Sequence, residues 1–186
     1  MRLFFAIPIP QEISRKASEG IREKVENDSS LRWVPSENQH FTLYFLGEVK
    51  EERLKSIRDA GQAVASKHPP FTIQVLGTGF FPDQERPRIF WAGVEKGKEE
   101  LKTLAASLSL ALKEVGFFHQ DAHPFVPHLT LARIKGRIPL RVKEALKLFQ
   151  DRDFGSFFVD RFLLMESKLF PERAIYYPRE TFLLKV

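Results

Sequence analysis

One short run is written twice in this chain, and its surroundings are written twice with it. His40-Phe41-Thr42-Leu43 stands in the first half and His128-Leu129-Thr130-Leu131 in the second. Polar and apolar side chains alternate in both, the pattern of a half-buried β-strand. Side chains two apart on a strand share a face, so His40 with Thr42, and His128 with Thr130, point away from the apolar side. An imidazole beside a hydroxyl is a proton-transfer group beside a hydrogen-bond donor. Two such pairs facing one cleft would grip a phosphate from both sides. The plainer alternative is that both histidines are structural residues on strands.

The neighbouring landmarks constrain the fold further. Phe4 and His40 are 36 residues apart and Phe90 and His128 are 38, while His40 to Pro82 is 42 and His128 to Pro171 is 43. Strand, helix, His-strand, helix, strand and a Phe-Pro pair follow in that order twice, with Phe81-Pro82-Asp83 echoed by Phe170-Pro171-Glu172. We read a tandem duplication within a single domain spanning 1–186, with approximate repeats 1–83 and 88–172 and a closing strand over 181–186. Its halves are expected to pack about a pseudo-two-fold axis, which brings the two His-x-Thr strands face to face.

The periodicities fill in the elements. Leu3 to Ile7 reads as a strand, and Ile13, Ala17, Ile21 and Val25 as one helix face ending at Asn27. Leu31 to Val34 is a short strand before a turn into His40. Leu54, Ile57, Gly61 and Val64 mark a second helix, stopped by Pro69-Pro70 before a strand from Phe71 towards Phe81. Ile89 to Val94 is a strand. Leu101, Leu104, Ala105, Leu108, Leu112 and Val115 form the strongest helical stripe, with Gly116 as its stop. A loop from Phe117 leads to His128, and Val142, Ala145, Leu146 and Phe149 predict a fourth helix before strands over 157–164 and 181–186.

Composition narrows the function. With 186 residues, 43% hydrophobic and 28% charged, the chain can bury a sizeable core. Phe outnumbers Tyr and Trp, 18 against 3 and 2, so most phenyl rings belong to that core and few are left for a ligand. The absence of Cys excludes disulfides, thiolate metal sites and Cys nucleophiles. A net charge of +5 suits an anionic partner such as RNA without demanding one. No apolar run approaches membrane-spanning length, and Leu3–Ile9 is too short and Pro-punctuated for a signal peptide, so a cytoplasmic protein is expected. His119, His123 and His128 are only loosely spaced like zinc ligands, and Gly77-Thr78-Gly79 reads as a turn rather than a phosphate loop.

The paired H-x-T-hydrophobic motifs resemble those of the two-histidine (2H) phosphoesterase superfamily. Flanking segments sharpen the resemblance to its RNA 2′,3′-cyclic phosphodiesterase family, also labelled 2′-5′ RNA ligase. They are Met1-Arg2-Leu3-Phe4-Phe5-Ala6-Ile7, Arg32-Trp33-Val34-Pro35, Tyr44-Phe45-Leu46-Gly47, Arg86-Pro87-Arg88-Ile89-Phe90-Trp91-Ala92-Gly93 and Pro127 with Ala132-Arg133. The resemblance implies a bilobal α+β fold, two antiparallel sheets lining a central cleft with helices outside, and neither metal nor cofactor. It implies a monomer that hydrolyses RNA 2′,3′-cyclic phosphate ends to 2′-phosphates, some members also joining tRNA halves reversibly without ATP. His40 and His128 map to the catalytic pair, Thr42 and Thr130 to phosphate donors, Arg133 to a phosphate-contacting cation and Phe45 to a platform for the terminal base. His40 would protonate the departing 3′ oxygen and His128 activate water. The family more often carries Arg where this chain has His123. The alternative is a non-catalytic nucleotide- or RNA-binding module on the same scaffold.

One feature resists simple strand logic. Arg133 and Phe45 lie five residues past their histidines, so strict alternation turns them away from the cleft. Either each strand twists or bulges near its end, or these side chains curl round its edge.

Overall fold

The computed structural model describes residues 1–26, 28–118, 124–171 and 174–185. Its elements follow the predicted order: β1 (Arg2–Pro8), α1 (Gln11–Lys24), β2 (Leu31–Trp33), β3 (His40–Glu48), α2 (Leu54–Ala65), β4 (Phe71–Phe81), β5 (Ile89–Val94), α3 (Lys98–Glu114), β6 (Leu129–Ile134), α4 (Leu140–Lys147), β7 (Asp153–Val159), β8 (Arg161–Leu169) and β9 (Ala174–Leu183). The class is α+β, and among the described residues every strand pairing is antiparallel.

The strands run β7-β4-β5-β6-β3-β1-β8-β9, with β2 added beside β6. The two expected sheets are therefore hydrogen-bonded into one, joined through β3 and β6 at the single pair Phe41–Leu129. Read outward from that junction, β6, β5, β4, β7 on one side match β3, β1, β8, β9 on the other. The spatial arms are not the sequence halves. β4, the last strand of the first half, pairs with β5 of the second, while β8 pairs with β1 of the first.

Apolar side chains on the inner faces explain why these segments hold together. Leu3, Phe5 and Ile7 of β1 are buried together with Phe41 and Leu43 of β3, and Phe5 packs on Phe162 and Phe182 at centroid distances of 5.8 Å each. Helix α2 buries Leu54, Ile57, Ala60, Gly61 and Val64. Gly61 is needed for close approach, since a Cβ there would come within 2.8 Å of the Phe182 ring. Helix α3 buries its Leu101-Leu104-Leu108-Leu112 stripe, and Gly116 follows with φ 85°, the left-handed stop its position predicts. Burying a Leu or Phe side chain is worth about 1.5–3 kcal/mol, so such stripes carry most of the stability.

Three local expectations change. Gly77-Thr78-Gly79 is not a turn but lies inside β4, where the pairing with β5 slips between Val75 and Thr78. Gly77 has φ 75°, its N–H donates to the Arg152 carbonyl at 2.8 Å, and a Cβ would stand 2.6 Å from the Gln150 oxygen. The strand expected over 157–164 is two strands, β7 and β8, divided at Asp160. The closing strand begins at Ala174 instead of 181. Only Phe182 of β9 is buried, so the strand lacks the apolar alternation that announces one, and Pro178 fits there because an edge strand can spare an N–H. The predicted helix stop Asn27 lies outside the described residues. Among the described residues, no helix is long and apolar enough to cross a membrane.

Candidate active site

The junction of the two arms is where the histidines meet. His40 opens β3 and His128 immediately precedes β6. Phe41 and Leu129, the paired residues, are both buried in the core. Their neighbours on either side therefore project to the opposite face. Continuing the antiparallel register sets His40 across from Thr130 and Thr42 across from His128. Four functional side chains thus surround one point, and the local two-fold symmetry of an antiparallel pair relates them.

Each strand then carries one extra residue at the same place. In β3 the pairing with β1 passes from Ala6–Thr42 to Phe5–Tyr44, leaving Leu43 as the added residue. In β6 the pairing with β5 passes from Trp91–Thr130 to Phe90–Ala132, leaving Leu131. Leu43 and Tyr44 are consequently buried in succession, as are Leu131 and Ala132. A one-residue bulge reverses the face of everything beyond it. Phe45 and Arg133 return to the cleft face, both exposed. The bulge, not a twist alone, resolves the alternation problem.

The groups that fix the histidine tautomers were not legible in the sequence; they are backbone carbonyls. His40 Nδ1 lies 2.8 Å from the Asn38 oxygen, and His128 Nδ1 lies 2.8 Å from the Val126 oxygen. A carbonyl only accepts, so Nδ1 carries the proton in both rings and Nε2 is left for chemistry. His40 Nε2 is 3.0 Å from Thr42 Oγ1. Side chains then hold the Asn38–Gln39 turn in place. Asn38 Nδ2 donates to the Ala174 carbonyl at 2.8 Å. The buried Gln39 accepts from Ser14 Oγ at 2.9 Å and donates to Ser18 Oγ at 2.6 Å and to the Val34 carbonyl at 3.1 Å. This ties the start of β3 to α1.

Burial shapes the protonation of the pair. Loss of water pushes His40 down to about 4, against the help of the Asn38 carbonyl, and the charge of His128 pushes the same way. His128 is lowered too, by burial, with the Val126 carbonyl opposing.

Aromatic rings wall both histidines, and several of these were missed. The His40 ring lies 4.9 Å from Phe4 and 5.3 Å from Tyr176, and Phe4 is 5.5 Å from Phe45. His128 meets Phe81 edge-on at 5.0 Å, and Phe81 packs against Trp91, also at 5.0 Å. Trp91 lies across Gly79, where even a methyl group would collide with the indole. Phe81 carried a signal in its repeated Phe-Pro landmark. Tyr176 carried none, because β9 brings it to a histidine 136 residues earlier in the chain.

Among the described residues, no group of three or more His, Asp or Glu side chains is arranged to hold a metal ion. His119 and His123 lie outside the described residues, as does Glu172 of the repeated Phe-Pro-acid landmark. What the described groups can do is donate and accept protons at two opposed nitrogens while hydroxyls and a guanidinium hold an anion between them.

Comparison with known proteins agrees with this reading. The family described as LigT-like phosphoesterase matches residues 7–91 and again residues 93–176, one His-x-Thr motif in each match. RNA 2′,3′-cyclic phosphodiesterase of Thermotoga maritima is 36% identical over 178 residues, which cover 95% of this chain and 91% of that protein. Thermus thermophilus TT0787 superposes with a TM-score of 0.84 at 33% identity, covering 99% of this chain and 98% of that one. Escherichia coli LigT complexed with 3′-AMP gives a TM-score of 0.79 at 30% identity, covering 100% and 98%. The chain belongs to the LigT-like phosphoesterases of the two-histidine superfamily.

Proposed function

We propose that this protein hydrolyses 2′,3′-cyclic phosphate ends of RNA to 2′-phosphates, with His40 and His128 as the proton-transfer pair. The observation that carries this reading is the pair of imidazoles at the β3–β6 junction, each with Nδ1 bound to a backbone carbonyl so that Nε2 is the nitrogen left for proton transfer. In-line displacement at phosphorus puts the attacking and leaving oxygens on opposite sides, which two opposed nitrogens serve directly. Thr42, Thr130 and Arg133 hold the non-bridging oxygens, and Phe45 stacks on the terminal base. A binding module without catalysis has no use for two imidazoles held in one tautomer.

The resemblance assigns proton donation to the 3′ oxygen to His40 and activation of water to His128. This assignment requires the proton on His40 once the anionic substrate enters. A 5′ hydroxyl in place of water gives 2′-5′ ligation with the same groups, for tRNA halves as for other cyclic-ended RNA. The site draws both His-Thr pairs from one chain, which supports a monomer, and a chain free of Cys suits the cytoplasm. The repeated strand order and the two family matches support an origin by duplication of 1–83 and 88–172 within one domain.

Incubation with adenosine 2′,3′-cyclic phosphate and with a cyclic-ended oligonucleotide, with the products identified, is the test. A 2′-phosphate product is expected in the presence of EDTA as in its absence. No turnover, or a 3′-phosphate product, would overturn the reading.

A further inference from the structure

The two arms part company beyond their bulges. Five and seven residues past His40 stand Phe45 and Gly47, whereas the same offsets past His128 hold Arg133 and Lys135. Arg133 and Lys135 are both exposed, and alternation beyond Leu131 puts them on the face of Thr130. Strand β2 lies alongside and pairs Arg32 with Arg133. The Lys135 N–H donates to the Ser30 carbonyl at 2.8 Å, which carries that pairing on to Lys135 itself. Asp28, on the same edge, is already engaged by Ser30 and Arg141.

Three cations therefore form a row that starts at the cleft and runs away from it. Cations side by side on adjacent strands repel one another, and their shared exposed face suits a polyanion. Arg133 and Lys135 are about 6.6 Å apart along the strand, close to the separation of successive phosphates in an extended RNA strand. The other arm offers Phe45 and Tyr176, both packed on the buried Phe4, at the corresponding place, a surface for a base and not for a backbone.

We propose that Arg133, Arg32 and Lys135 bind the phosphates immediately upstream of the reacting end, so that single-stranded RNA leaves the site along β6 and β2. This rests on the function proposed above and adds the direction of the strand and a preference for oligonucleotides. It separates this protein from an enzyme whose substrate is the mononucleotide.

Steady-state turnover of adenosine 2′,3′-cyclic phosphate and of a short cyclic-ended oligonucleotide, by wild type, Lys135→Ala and Lys135→Glu, tests it. Lys135→Ala should lower kcat/KM for the oligonucleotide roughly three- to tenfold and for the mononucleotide less than about twofold. Its log–log salt dependence on the oligonucleotide should flatten by about 0.7, one phosphate contact on a single strand. Lys135→Glu should deepen the loss on the oligonucleotide alone. Equal kcat/KM for both substrates in wild type, or a variant that loses both equally, would overturn this inference while leaving the proposed reaction standing. Failure of wild type on both substrates would remove the reaction, and this inference with it.

Discussion

The arm that carries His40 and the arm that carries His128 share a backbone and differ in what surrounds it. Both histidines bind the carbonyl two residues before them through Nδ1, and both strands add one residue directly after the threonine. Beyond that, His40 sits between Phe4 and Tyr176 behind a turn fastened by Asn38 and Gln39. His128 is backed edge-on by Phe81, and the residue whose carbonyl holds it, Val126, is exposed. Its strand continues into cations instead of aromatics. Main-chain geometry alone thus delivers the acid–base pair, and side chains decide how dry, how rigid and how charged each half becomes.

The sharpest way to break the comparison is to remove either imidazole. His40→Ala and His128→Ala should each cut kcat by about 10²–10⁴-fold with the thermal melt unchanged. On a nitrophenyl ester, whose leaving group needs no proton, activity should return to the His40 variant and not to the His128 variant. The opposite pattern would exchange the two roles. A pH profile cannot make this distinction, because either assignment gives a bell of the same shape.

The next largest contrast lies at the two positions turned inward by the bulges. Arg133→Ala should lower kcat/KM by about 10²-fold through lost charge stabilisation. Phe45→Ala should raise KM by roughly five- to tenfold with kcat little changed, the loss of one stacked base. If Phe45→Ala proved as damaging as Arg133→Ala, the division into an aromatic and a cationic arm would be wrong.

A smaller effect is expected at the turn. Asn38→Ala removes one hydrogen bond to β9, worth about 1 kcal/mol, and should lower kcat about fivefold. Val126→Ala, at the matching position, keeps the carbonyl that holds His128 and should be silent. Activities that moved together would deny the difference in rigidity.

Protonation gives the finest test. Ring-proton NMR should find His40 titrating near 4 and His128 below its usual value. Since the pair works with one proton shared between them, kcat/KM should peak on the acid side of pH 6.5. Both histidines bind protons less readily folded than unfolded, so their contribution to stability is whole at neutral pH and above. It is lost as pH falls from 6.5 towards 4. His40→Ala should flatten that acid-side decline more than His128→Ala does.

Much of this site could be read before the fold was known. The repeated His-x-Thr run was enough to name four of its side chains, because alternation on a strand is a strict physical rule. Arg133 and Phe45 were named by resemblance, and strand logic registered that they needed a twist, a bulge or a path round the strand edge, of which the structure shows the bulge. What alternation cannot state is which strand supplies it, since a bulge is visible only against a partner's register. Tyr176 escaped because β9 is an exposed edge whose pattern carries no apolar period. The tautomer-fixing groups escaped because every residue has a carbonyl, and only the turn geometry selects those of Asn38 and Val126. Likewise, the repeated spacing foretold the succession of elements along the chain but not that β4 and β8 change sides.

That exchange bears on where such a protein could have come from. Neither half of the sequence contains a whole arm, because β1 needs β8 and β5 needs β4. One repeat expressed alone would leave an unpaired strand edge on each side of the gap. Two copies of a repeat would supply each other's missing strand, and their symmetry axis would run through a site built from two identical His-Thr pairs. The ancestor implied by this topology is an obligate strand-swapped homodimer, catalytic only at its interface. Under the proposed duplication, joining the copies end to end would release them from having to be alike, so that one pair could settle among aromatic rings while the other faced a row of cations.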